Sequence, residues 1–106
     1  MKLLPASEAK KLPALYATDG NAGAKFPVKF FGIGKVGSWT WFAKEFDPET
    51  GMFFGFVVSS LCPEGELGYF NLAELESLTA MSGKLPLVER DAWFDPMTLA
   101  EIKASL

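Results

Sequence analysis

The chain has 106 residues, 49% hydrophobic and 22% charged, at a net charge of −3, the balance of one soluble folded domain rather than a disordered chain. Histidine is absent and Cys62 is the single cysteine, which excludes a Ser-His-Asp triad, a Cys-His pair, imidazole or thiolate zinc sites and an internal disulfide. Apolar runs stay far below the ~20 residues that span a bilayer, and Met1–Pro5 lacks a secretory h-region, so the expectation is a reduced, cytoplasmic protein with no membrane contact.

Charge is uneven along the chain. Residues 1–44 hold seven Lys against two acids, a net of +5, and residues 45–106 hold eleven acids against three bases, a net of −8. A dipolar surface with an acidic half suits a basic partner, although solvated faces carry such charges too. A net of −3 is mild, so charge alone indicates neither a strong nucleic-acid binder nor an extreme DNA mimic.

In chain order, Ser7 as N-cap and Glu8 in the first turn predict a short helix that stops near Lys11, ahead of Pro13. Leu12, Leu15 and Tyr16 then read as anchors for an N-terminal arm, 1–17. Residues 18–25 are rich in turn formers and read as a flexible loop; the glycines match neither GxGxxG nor GxxxxGKS spacing. Val28–Ile33 predicts a first strand, entered through Pro27.

The centre of the chain is Ser38–Ser60. Eight of the ten Phe and two of the three Trp lie between Phe26 and Phe56, which places the core here. Asp47-Pro48-Glu49-Thr50-Gly51 reads as the turn of a long hairpin, type I with Gly51 in the left-handed position. A four-residue loop sets Asp47 opposite Met52, Phe46 opposite Phe53, Lys44 opposite Gly55, Phe42 opposite Val57 and Trp41 opposite Val58. One face then carries Trp39, Trp41, Ala43, Phe54, Phe56 and Val58; the other carries Phe42, Phe46, Phe53 and Val57. Both faces are apolar, which fits strands covered on both sides, or one face reserved for a partner. Phe54-Gly55-Phe56-Val57 matches the middle of an RNP1 strand, but Met52, Phe53 and Ser59 replace its other positions, and core packing is the better reading.

Leu61–Gly65 reads as a turn holding Cys62, and Glu66–Phe70 as a short strand. A helix follows, with Asn71 as N-cap, Glu74 completing a capping box, Phe70 stapled to Leu75, and Leu72, Leu75 and Leu78 as the buried stripe. Leu85–Asp91 reads as an edge segment because of Pro86. The last helix repeats the device: Thr98 caps, Glu101 sits at N3, Met97 staples onto Ile102, and Leu99, Ile102 and Leu106 dock. The fold class expected is α+β: an antiparallel sheet of about four strands around hairpin 38–60 with two or three short helices, in one domain over 1–106. Its parts are the arm, the loop, a sheet core over 26–70, and C-terminal helices with an edge segment over 71–106.

Several stretches together resemble the bacterial domain of unknown function 2958. They are Leu12–Tyr16, Val28–Phe31, Trp39-Thr40-Trp41 with Glu45-Phe46-Asp47, Phe53–Val57, Glu66–Phe70 with Leu72–Leu75, and Glu89-Arg90-Asp91 with Phe94. The resemblance covers nearly the whole chain in order, and is weakest at the Gly20–Gly23 and Gly34–Gly37 loops. It implies a small cytoplasmic domain, often encoded on plasmids and integrative elements, with no assigned catalytic residues, and with transfer, maintenance or countering of host defence as its setting.

Three functional readings follow. The first is a non-enzymatic protein-binding module, an inhibitor of a host defence complex such as a CRISPR effector or restriction enzyme. Its candidate interaction surface is Trp39, Trp41, Glu45, Phe54, Phe56, Glu66, Arg90 and Asp91. The second is a nucleic-acid-associated accessory protein using the Lys-rich N-terminal part. The third is a small carboxylate enzyme, which requires a cleft joining at least two of Glu45, Asp47, Glu66 and Asp91. No catalytic residue, cofactor or metal is assigned, and no oligomeric state.

Overall fold

In the computed structural model, residues 3–106 are described; Met1 and Lys2, on which part of the leader reading rests, lie outside the described residues. The central hairpin forms as the turn chemistry dictates. Strand β3 (Thr40–Asp47) and strand β4 (Met52–Ser59) flank the turn. Asp47 accepts bonds from the Glu49 N–H and the Thr50 hydroxyl, and Gly51 sits at φ 77°, the left-handed region that costs a glycine little.

Around the hairpin are α1 (Ala6–Ala9), β1 (Lys25–Phe26), β2 (Val28–Gly32), β5 (Cys62–Asn71), α2 (Leu72–Ser77), β6 (Thr79–Ala80), β7 (Leu85–Pro86), β8 (Val88–Arg90), β9 (Met97–Thr98) and α3 (Leu99–Ala104). The fold is α+β. Its main sheet is antiparallel, in the order β5-β4-β3-β2-β8, one strand more than the sequence led us to expect. Among the described residues two short ladders, β1 with β9 and β6 with β7, accompany it.

The predicted register holds from the turn as far as Glu45 opposite Phe54 and then slips. Ala43, not Lys44, lies opposite Gly55, so Phe42 faces Phe56 and Trp41 faces Val57. A bulge at Lys44 absorbs one residue of β3, and a bulge re-aims every side chain beyond it. The predicted faces are therefore corrected: Trp41 and Ala43 share a face with Phe46 and Phe53, and Phe42 shares one with Phe56.

Both faces carry a core. On the first, Val28, Phe30, Trp41, Ala43, Phe46 and Phe53 pack beneath Leu4 and Leu12 of the N-terminal arm and Leu75 of α2. On the second, Phe26, Phe42 and Phe56 pack against Ile102 of α3, with Phe94, Met97 and Leu99 around them. Phe53 anchors the first core, with ring centroids 5.5 Å from Phe30, 4.6 Å from Phe46 and 5.0 Å from Phe70. Such aromatic contacts contribute about 0.5–1.5 kcal/mol each beyond area burial.

Several terminal details differ from expectation. Helix α1 begins two residues early: Pro5 is the N-cap, with no side-chain cap bond, and Ser7 lies inside the helix. Leu12 is buried, whereas the Tyr16 ring is exposed, so Tyr16 does not anchor the arm by its side chain. Strand β5 starts at Cys62, since Pro63 and Gly65, read as turn formers, are tolerated at a sheet edge. Asn71 caps α2 through the Ala73 N–H, not through a capping box, and its amide also donates to the Thr50 carbonyl, which seats α2 on the hairpin turn. The capping box of α3 is present in full, with Thr98 accepting from the Glu101 N–H and Glu101 accepting from the Thr98 N–H. Leu106 is exposed and does not dock. Among the described residues no helix is long and apolar enough to cross a membrane.

Candidate interaction surface

The row that decides how the second face is used runs Glu45–Phe54–Tyr69 across β3, β4 and β5. Strand β2 pairs with β3 from Thr40 to Ala43 only. Beyond that point the N-terminal segment takes over: the Phe46 N–H donates to the Pro13 carbonyl at 2.9 Å. The same segment caps Glu45. Its carboxylate accepts the Tyr16 N–H and the Thr18 N–H, both at 2.9 Å, and the Thr18 hydroxyl. Tyr16 adopts φ 69°, and this left-handed turn directs N–H groups of neighbouring residues at one anion, as in a backbone nest.

Glu45 is 2% exposed. Burial pushes its carboxyl up, but the Thr18 hydroxyl, the Thr18 and Tyr16 N–H groups and the Lys44 charge act the other way. Together they leave it below the ordinary value. Glu45 is thus an ionised latch beneath a loop, and its oxygens are occupied by the chain's own donors.

Along this row cover on the second face thins at Phe54 and Tyr69. α3 and Phe94 close over Phe42 and Phe56, while Phe54 stays half-buried, stacked edge-on to Tyr69 at 5.1 Å between centroids. Tyr69 is 53% exposed, Leu67 49% and Tyr16 64%. The Tyr16 hydroxyl beside it, partial burial, and the Asp19 and Glu45 charges hold the Tyr69 phenol above its ordinary value. Tyr16, Phe54 and Tyr69, with the aliphatic Leu67 beside them, form an apolar patch at β5, an edge strand of the sheet.

Acidic side chains border this edge from the first face, where Glu66 lies and α2 packs. From Glu45 to Gly83 there are seven acids and no Lys or Arg, and this stretch supplies β4, β5 and α2. Glu64, Glu66, Glu74 and Glu76 are exposed on it. Lys103 enters from α3, lining a shallow groove with Pro63, Glu64 and Leu106. The N-terminal lysines are partly engaged: Lys11 pairs with Glu8 at 3.0 Å, and Lys29 and Lys44 lie over the Phe42 and Phe26 rings.

The candidate residues of the sequence reading scatter. Trp41 and Phe56 are core residues on opposite faces, and Trp39 is half-buried, stacked on Trp41 at 5.9 Å. Glu45 and Phe54 join in the row described, and Glu66 is exposed on β5. Arg90 pairs with Glu8 of α1 at 3.3 Å. Asp91 caps its own loop through the Trp93 N–H. The structure does not bring the candidate acids together: Glu45 is latched to the N-terminal segment, Asp47 belongs to the hairpin turn, and Asp91 to the loop after β8. Among the described residues no three Cys, Asp or Glu side chains cluster as a metal site would require. The sequence reading did not single out the exposed Tyr16, Leu67 and Tyr69 for the candidate surface. The signal was the outward alternation of Leu67 and Tyr69 in an edge strand.

The chain matches a protein family described as "Protein of unknown function (DUF2958)" over residues 3–103, and it belongs to that family. No curated protein and no solved structure matches it.

Proposed function

We propose that this member of the DUF2958 family is a non-enzymatic protein-binding module that holds its partner on the acidic, aromatic half formed by β4, β5 and Tyr16. The observation that carries the reading is the patch of exposed Tyr16, Leu67 and Tyr69 around half-buried Phe54, set where cover of the second face thins. Grouped exposed apolar side chains rimmed by charge mark interaction sites, whereas scattered ones do not. Tyr is also a favoured contact residue, because it brings large area at low conformational cost. The acid excess on the same half supports a basic protein over nucleic acid.

The setting implied by the family resemblance, a mobile element acting against host defence, makes a CRISPR effector or restriction complex the partner class of this proposal. A reduced, cytoplasmic setting accords with the lone Cys62.

The test is retention of a purified protein from nuclease-treated bacterial lysate by tagged wild type, Leu67→Asp and Tyr69→Ala in parallel. Both substitutions fall on exposed side chains, so folding is preserved and checked by circular dichroism. A near-stoichiometric protein held by wild type and lost from both variants supports the reading. Retention by all three, or loss of everything on nuclease treatment, contradicts it.

A further inference from the structure

The main sheet has two edges, and they differ. At one, β8 is three residues long, and the chain around it is tied down by the Ile33 N–H to the Leu87 carbonyl and the Asp91 N–H to the Lys29 carbonyl. At the other, β5 runs for ten residues and, among the described residues, pairs with β4 alone. Its outer main-chain N–H and C=O groups form a row open to another strand.

The side chains along that row alternate in chemistry. Leu67 and Tyr69 lie on the second face, paired with Phe56 and Phe54, and Glu66 lies on the first face, paired with Val57. Glu64 is exposed at the start of the strand, and no Lys or Arg occurs in β5. A second copy of this chain is a poor occupant, because two β5 edges in register bring acid against acid, and like charges across strands destabilise pairing.

We propose that β5 accepts an extended basic segment of a partner protein as a sixth strand. This rests on the protein-binding reading above and specifies its mode. Main-chain bonds to β5 supply affinity without sequence preference, and alternate side chains supply selection. On the second face the segment presents apolar or aromatic side chains to Leu67 and Tyr69; on the first it presents Lys or Arg to Glu66, with another beside Glu64. The recognised pattern is therefore basic–apolar alternation.

The probe is a synthetic peptide of the same ten-residue length as β5, alternating lysine with valine or tyrosine, compared with a glutamate-for-lysine counterpart and with a version N-methylated at alternate residues. Binding is read by backbone amide shifts and hydrogen exchange on the full chain. The lysine peptide is expected to bind, to slow exchange across Cys62–Asn71, and to weaken on the order of tenfold at high salt. The glutamate and N-methylated peptides are expected not to bind, and Glu66→Lys or Glu64→Lys in the protein is expected to weaken binding on the order of tenfold. Equal binding of both charge types, no binding of the lysine peptide, or a concentration-dependent dimer that protects β5 by itself overturns the proposal. Binding that shifts Tyr16 and Tyr69 while leaving β5 exchange unchanged overturns strand addition but leaves the protein-binding surface standing.

Discussion

The Glu45 carboxylate accepts both the backbone N–H and the hydroxyl of Thr18, a residue 27 positions earlier in the chain. That contact makes an interior charge the fastening of the N-terminal segment, and it sets Tyr16 beside Tyr69. Truncating the acid strands two N–H donors and a hydroxyl. Glu45→Ala is expected to cost about 3 kcal/mol, since hydrogen bonds to charged groups contribute about 1.5–3 kcal/mol each. Urea midpoints at neutral pH check this.

The same latch gives a pH dependence of defined sign. The folded-state pKa of Glu45 lies below its ordinary value of 4.5, so its stabilisation is complete above that value and fades as pH falls through the lower, folded one. Thr18→Val removes one of the bonds that depress it. The variant is expected to be less stable than wild type at pH 7, with the gap narrowing in acid, as read from urea midpoints across the acid range. A gap that widens on acidification contradicts the latch.

Two glycines opposite one another in the sheet differ in what they tolerate. A Cβ on Gly55 would stand 1.9 Å from the Phe42 carbonyl oxygen, beside the bulge, whereas one on Gly68 meets nothing within 4 Å. Gly55→Ala is expected to cost about 3 kcal/mol or more, and Gly68→Ala to stay within about 0.5 kcal/mol. Thermal unfolding of the pair separates them.

The capping box of α3 holds Ile102 over Phe42 and Phe56. Thr98→Ala is expected to cost about 1 kcal/mol. That loss is measurable by denaturant unfolding, with the m-value unchanged.

Trp93 is 92% exposed, while Trp41 is buried. Trp93→Phe is expected to change stability by less than about 0.5 kcal/mol, to shift the fluorescence maximum to the blue and to reduce quenching by acrylamide.

Local signals were legible where chemistry is local. Asp47, Gly51, Thr98 and Glu101 state their turn and cap roles by type and spacing, and the structure places them so. The bulge at Lys44 was not legible, because Trp41, Phe42, Ala43 and Phe46 are apolar on both sides of it and fit either face. β5 was read short because Pro63 and Gly65 punctuate a central strand but are compatible with an edge. The Glu45 latch was hidden for a different reason. Its partners are mainly backbone N–H groups, positioned by the φ of Tyr16, and no side-chain pattern records them.

A protein partner seated on the β5 edge and the tyrosine patch would shield the amides there from solvent. Amide hydrogen exchange of the chain alone and with its captured partner tests it most directly. Slowed exchange is expected to be concentrated in Cys62–Asn71 and around Tyr16–Thr18, with α2 and the Asp91–Pro96 loop unchanged. Protection centred on α2 or on that loop, with β5 exchanging as in the free chain, would contradict it.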